Sequence, residues 1–301
     1  MASIVTYGRL VKFSHTAFAM PFALLAAFLA GAKRRGDFVH CGWFWQDLAL
    51  VVLAMVAARS AAMAFNRIVD RGYDAVNPRT AARELPTGRL TVRAAWVFYL
   101  VCSGAFFLLC GAFWLLEGNP WPILLALPVL AMLSGYSFAK RFTAWCHVWL
   151  GACLGVSPLA AWVAISPDTF GLAPLLLGAA VVLWVAGFDV LYSLQDLPVD
   201  LRQGLHSIPA ALGPANAIWI SRAMHLWCLT ALAGAAYLAR PALGPIYLAA
   251  VGAAAVVLVV QQALVRPNDF SRINSTFTLC NGAVSLLLGA AGIADVLLSC
   301  P

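Results

Sequence analysis

The chain has 301 residues, of which 63% are hydrophobic and only 10% are charged. That leaves too little polar side chain to cover a water-soluble globule, so soluble classes are excluded and a polytopic membrane protein is indicated. The formal net charge of +7 comes mainly from basic residues flanking apolar runs, and it gives no reason to expect a nucleic-acid partner.

A helix that crosses a bilayer needs about 20 apolar residues. Stretches of that kind lie near 11–32, 47–66, 94–116, 121–139, 144–166, 171–192, 216–238, 244–265 and 275–299. They predict an all-α, multi-pass protein with nine transmembrane helices and termini on opposite sides. The first run is long enough to span and lacks a short apolar region followed by a small-residue cleavage site, so it is expected to remain as a helix. Of the 19 Lys and Arg, only Lys33, Arg34, Arg35 and Arg240 fall on one side; apart from Arg59, inside the second helix, the rest fall on the other. The positive-inside rule then places the N-terminus in the cytoplasm of a cell whose inner membrane holds the chain. The eight cysteines fall mainly inside apolar runs without C-x-x-C or metal-spaced histidines, which suits small core side chains.

The second helix ends in AFNRIVDRGYDAVNPRT, with Asn66, Asp70 and Asp74 at four-residue spacing. Residues four apart on a helix lie on one face, so these three form a single line of oxygen ligands. The sixth helix ends in DVLYSLQDLPVD, with Asp196 and Asp200 again four apart. Pro198 is expected to break that helix just after Asp196, leaving Asp200 on the following loop. Asp196 lies 126 residues after Asp70, an interval of four helices that keeps both clusters on the cytoplasmic side. This is the signature of two related halves, helices two to five and six to nine. Two facing acid clusters repel unless a cation lies between them, and hard oxygen donors with few carboxylates suit Mg²⁺ bridged to substrate phosphates.

Basic residues accompany the acids. GYSFAKRFT ends the fourth helix with Lys140 and Arg141, and RTAARELPTGRL supplies Arg79, Arg83 and Arg89. These can grip phosphate or merely anchor and solvate the loops. Arg59 lies two turns before Asn66 in the apolar part of its helix, where a charge calls for a partner or an anionic substrate.

With NRIVDRGYD, DVLYSLQDLPVD and the segment Tyr136, Lys140, Arg141, the chain resembles the UbiA superfamily of intramembrane aromatic prenyltransferases over essentially its whole length, 1–301, as one domain. The resemblance implies an Mg²⁺-dependent enzyme with a prenyl diphosphate and a hydroxylated aromatic acid as substrates and the lipid bilayer as its setting. Metal ligands would be Asn66, Asp70, Asp74, Asp196 and Asp200. Arg59, Asn66, Arg67, Tyr136, Lys140 and Arg141 would bind substrate, and Asp189 and Tyr192 would orient or deprotonate the acceptor. Arg67 stands where many relatives carry a second acid, so its role is either diphosphate contact or facing the headgroups. VKFSHTAFAMPFAL, ELPTGRL and GLHSIP are similar to 4-hydroxybenzoate polyprenyltransferases, and among them to the menaquinone-pathway branch. His15 and His206 lie in these segments. Haem farnesylation, lipid-sugar transfer and secondary transport remain as alternatives. A transporter has no need of matched acid clusters at one membrane face.

Overall fold

The computed structural model describes residues 4–10, 18–265 and 273–299. Among them the regular structure is helical throughout, in chain order α1 (Ile4–Leu10), α2 (Met20–Arg34), α3 (Gly42–Val76), α4 (Val92–Glu117), α5 (Trp121–Ala139), α6 (Cys146–Ile165), α7 (Leu172–Ser193), α8 (Leu197–Gln203), α9 (Ile208–Leu238), α10 (Pro245–Leu264) and α11 (Ile273–Ser299). Seven helices of the described residues are long and apolar enough to cross a membrane. Two of the nine predicted spans are not among them. The described part of 11–32 is the short α2, and Arg222 and His225 interrupt the apolar run of 216–238. His15 lies outside the described residues.

Contacts divide the chain into two compact units, one of 1–16 with 49–138 and one of 17–48 with 139–301. These units do not follow the predicted halves, because 144–166 belongs with the later helices. Tertiary packing, which sequence offset cannot report, decides that membership.

In the first unit, Ala54, Ala58 and Ala61 make a small-residue stripe along α3. It is buried with Phe106 and Cys110 of α4 and with Ala126 and Leu130 of α5. One end of the unit is closed by Leu10, Ala64, Ile68, Leu90 and Ala95. The hydroxyl of Thr91 accepts the Ala94 N–H at 3.2 Å and so caps α4, a contact worth about 1 kcal/mol. Outward-facing Leu100, Val101, Leu108 and Leu115 are exposed, as they should be where the solvent is lipid. At 1.5 Å per residue the 35 residues of α3 reach about 52 Å, well beyond a hydrocarbon core of about 30 Å. The surplus turns are the ones that carry Asn66, Asp70 and Asp74.

The second unit is built on a close crossing of α6 and α7. A Cβ at Gly151 would collide with the backbone carbonyl of Val182, and one at Gly155 would lie 2.5 Å from Val182 Cγ2 and 2.8 Å from the Gly178 carbonyl oxygen. Small residues four apart let backbones approach in this way, the usual device where no hydrophobic effect drives helices together. On the other flank of α7, the Ser221 hydroxyl of α9 donates to the Gly187 carbonyl at 2.7 Å, and Gln262 of α10 donates to that hydroxyl at 2.8 Å. Asp295 of α11 accepts the Gly244 and Tyr247 amides at 2.8 and 2.7 Å. A carboxylate thus satisfies the first turn of α10 and complements its dipole.

The second acid motif departs from its predicted form. After Ser193 the chain tightens into a 3-10 turn, Leu194–Asp196, and re-enters the α-conformation as α8 with Pro198 in its first turn. Asp200 is therefore helical and not in a loop. Proline has no N–H to lose at a helix start, so it opens α8 where it was expected only to end α7. The described cysteines are free thiols, with Cys110, Cys146, Cys153 and Cys228 buried.

The crossing has a measurable consequence. Gly155→Ala should destabilise the protein by about 1–3 kcal/mol through overpacking. Gly111→Ala on α4, where an added Cβ meets nothing within 4 Å, should stabilise it by about 0.5–1 kcal/mol. Thermal midpoints of the two variants in detergent check the opposite signs.

Candidate active site

The first motif is assembled along α3 and the connection after it. Asn66 Nδ2 donates to Asp70 Oδ2 at 2.7 Å, one turn away, as their spacing requires. Asn66 Oδ1 in turn accepts from Arg67 Nη1 at 3.4 Å. Arg67 is only 5% exposed, and its Nε has no hydrogen-bond partner among the described residues. A buried guanidinium N–H without an acceptor is costly. The Thr80 hydroxyl donates to the Asp74 carbonyl at 3.0 Å, folding the chain back after α3. This return brings Arg83 Nη1 to 2.6 and 2.8 Å from the two Asp74 carboxylate oxygens. Arg59 is part-buried farther back on α3, and Tyr136 is part-buried near the end of α5.

The second motif is assembled from α7, α8 and the connections that flank them. Lys140, just past α5, places Nζ 3.1 Å from Asp200 Oδ2. Burial alone would lower the Lys140 pKa, but the facing carboxylates of Asp200 and Asp196 outweigh it and hold the ammonium above its ordinary value. It therefore stays charged at physiological pH. The backbone holds the pair in register: His206 N–H donates to the Lys140 carbonyl at 2.7 Å, and the Cys146 thiol points to the His206 carbonyl at 3.6 Å. The His206 side chain itself is exposed, and so is Arg141.

At the start of the second motif, Asp189 Oδ2 lies 2.7 Å from His147 Nδ1 of α6. The contact follows from the glycine crossing, since His147, Gly151 and Gly155 share one face of α6 and run antiparallel to Asp189, Val182 and Gly178 on α7. Tyr192, on the same face of α7 as Asp189, packs on Phe277 with ring centroids 4.4 Å apart, and Phe277 meets Phe188 at 5.2 Å. Sequence reasoning missed both His147 and Phe277. A histidine inside an apolar span was itself the signal for the first; nothing in the pattern marked the second.

The donor chemistry fits a hard divalent cation, because each motif offers carboxylate oxygens one turn apart and the first adds the Asn66 amide. Among the described residues no three His, Cys, Asp or Glu side chains converge as a ready-made metal cage. That is compatible with Mg²⁺, which takes one or two carboxylates and completes its shell with water and phosphate oxygens. Asp74 and Asp200 are each held instead by a cation of the chain, Arg83 and Lys140.

Comparison with known proteins places this arrangement in context. The UbiA prenyltransferase family matches residues 19–287. A 4-hydroxybenzoate octaprenyltransferase of Pseudomonas aeruginosa (strain UCBPP-PA14) is 33% identical over 193 residues, 64% of this chain and 63% of that protein. The chain thus matches less than two thirds of that relative's length. A protein of the same name from Aromatoleum aromaticum is 28% identical over 82% of this chain and 81% of its own. Among solved structures, the apo UbiA homologue of Aeropyrum pernix K1 is 33% identical with a TM-score of 0.80, over 93% of this chain and 98% of that one. A UbiA homologue of Archaeoglobus fulgidus bound to GPP and Mg²⁺ shares the fold at 19% identity and a TM-score of 0.71, over 97% and 99% of the two chains. The chain is an integral membrane protein with an all-helical fold, and it belongs to the UbiA prenyltransferase family.

Proposed function

We propose that the protein transfers a polyprenyl group from a prenyl diphosphate to the ring of a hydroxylated aromatic carboxylate, of the 4-hydroxybenzoate or 1,4-dihydroxynaphthoate type, in respiratory quinone biosynthesis. One observation carries this reading: in a UbiA-family chain, each acid motif keeps a carboxylate beside a cation, Asp74 with Arg83 and Asp200 with Lys140. Such pairs suit a substrate that arrives as a metal diphosphate. The carboxylates can turn to the metal and the cations to the phosphate oxygens without leaving a bare charge at the membrane. Mg²⁺, held by Asn66, Asp70, Asp74, Asp196 and Asp200, would supply charge neutralisation of the diphosphate leaving group.

The chain's own residues do the rest. The allylic C–O bond breaks with its electron pair leaving on diphosphate, toward which Lys140, Arg141 and the buried Arg67 offer N–H donors. Tyr136 belongs with this group. The acceptor ring carbon beside the hydroxyl forms the new C–C bond, and loss of its proton restores aromaticity. Asp189 and Tyr192 orient or deprotonate the acceptor, Arg59 receives its carboxylate, and the Phe277 ring offers it a stacking face. The membrane setting would exclude the water that quenches an allylic cation. The enzyme sits in the inner membrane, with its N-terminus and motif loops in the cytoplasm.

Activity is expected to require Mg²⁺ or Mn²⁺, and Asp70→Ala and Asp196→Ala are each expected to abolish turnover while the protein remains folded in detergent. Undiminished turnover after EDTA treatment would falsify the metal assignment.

Cysteine labelling in intact cells should place residues 70–90, 140–145 and 196–210 on the cytoplasmic side. Labelling of position 74 from outside the inner membrane would rule out the proposed orientation.

The names of the relatives favour 4-hydroxybenzoate, whereas ELPTGRL and GLHSIP favour the wider ring. A naphthoate pocket loses about 25 cal/mol for each Å² that the smaller acid leaves unburied, while a benzoate pocket rejects the fused ring sterically. Competition of both acids for one prenyl diphosphate, read by mass spectrometry of the lipid product, should yield mainly the naphthoate product with some benzoate product. Exclusive prenylation of 4-hydroxybenzoate rejects the menaquinone branch and leaves prenyl transfer intact.

A further inference from the structure

Among the polar groups that the proposed reaction leaves without a role is a fully enclosed histidine, His147. Its side chain is 0% exposed and lies on α6, in an apolar span where an ionisable group is costly unless paired. Two contacts hold the ring. Nδ1 lies 2.7 Å from Asp189 Oδ2, and Nε2 faces the Ile208 N–H at 3.3 Å. That amide is the first of α9 and one of the donors that a helix start leaves without a helical partner. The neighbouring cap is already in use, because the Ser207 hydroxyl accepts from Ala210 N. Since an N–H can only donate, Nε2 carries a lone pair. The neutral ring then has its single proton on Nδ1, and Nδ1–H donates to the Asp189 carboxylate.

We infer that His147 is a positioning residue for the aromatic acceptor, an inference that rests on the prenyl-transfer reading above. Its tautomer is set by the start of α9, and through that tautomer it holds the Asp189 carboxylate aimed. One Asp189 oxygen is engaged by the ring while 18% of the side chain stays exposed, on the face of α7 that also carries Tyr192. The same contact ties α6, α7 and the α8–α9 connection together, and that connection also meets Lys140 through His206 N–H. His147 thus couples the orientation of Asp189 to the segment that carries Asp200, without touching substrate itself.

The test compares His147→Leu, which keeps bulk and loses both hydrogen bonds, with His147→Gln, whose amide offers a donor to Asp189 and an acceptor to Ile208. With prenyl diphosphate and Mg²⁺, H147L should lower kcat/KM for the aromatic acid by about 10–100-fold, as loss of an orienting partner typically does. KM for prenyl diphosphate should not change, and H147Q should recover most of the lost efficiency. Equal losses in both variants, or a loss confined to the prenyl diphosphate KM, overturn the inference in favour of a purely structural role. Should H147L fail to fold, ¹⁵N-histidine spectra of the wild-type protein, assigned by difference against H147Q, give an independent answer. A proton on Nδ1 with a bare Nε2 supports the inference, and protonated Nε2 overturns it. Wild-type protein that prenylates no acceptor at all refutes the prenyl-transfer reading instead, and the tautomer measurement then judges His147 alone.

Discussion

Charge placed at the edge of a low-dielectric layer must be compensated, and the polar architecture of this protein follows from that constraint. Asp74 and Asp200 are nearly buried, at 7% and 2% exposure, and neither stands without a cation. Arg83 reaches Asp74 because the connection after α3 folds back through Thr80, and Lys140 reaches Asp200 because His206 pins the backbone of the α5–α6 connection. Breaking one partner out of such a pair leaves an uncompensated charge and costs far more than the pair itself contributes. The loops are held where they are by the acids they neutralise.

Compensation within the chain extends to both acid motifs, each of which keeps a carboxylate beside a cation. Among the described residues no three His, Cys, Asp or Glu side chains converge. Arg67 beside the first motif is a buried guanidinium whose Nε has no hydrogen-bond partner among the described residues. The amides at the start of α9 and α10, by contrast, are met by His147 and Asp295.

Backbone proximity is the second organising factor. Two glycines on α6 admit α7 to direct backbone contact, and this separation lets a histidine one turn away reach Asp189 at 2.7 Å. Larger residues at Gly151 or Gly155 would push the helices apart and with them the two hydrogen-bonding groups. Packing and polar geometry in this unit are therefore the same fact seen at two positions along one helix face.

Much of this was legible in the residues. The apolar runs specified an all-helical membrane protein, because helical periodicity and hydropathy are local properties, while NRIVDRGYD, DVLYSLQDLPVD and the Tyr136, Lys140, Arg141 segment carried the resemblance to the UbiA family. What stayed hidden depends on contacts between segments far apart in the chain. Pro198 opens a helix where local rules had it ending one, since a proline that cannot continue one helix is well suited to begin the next. Membership of α6 in the second unit, the capture of Asp74 by Arg83 and the burial of Arg67 come from packing that no periodicity encodes. Amino-acid composition and spacing alone determined the lipid setting and which side chains carry charge. Only the tertiary structure decided which of those charges meet and that His147 lies between Asp189 and the start of α9, because both depend on distances set by helices meeting in space.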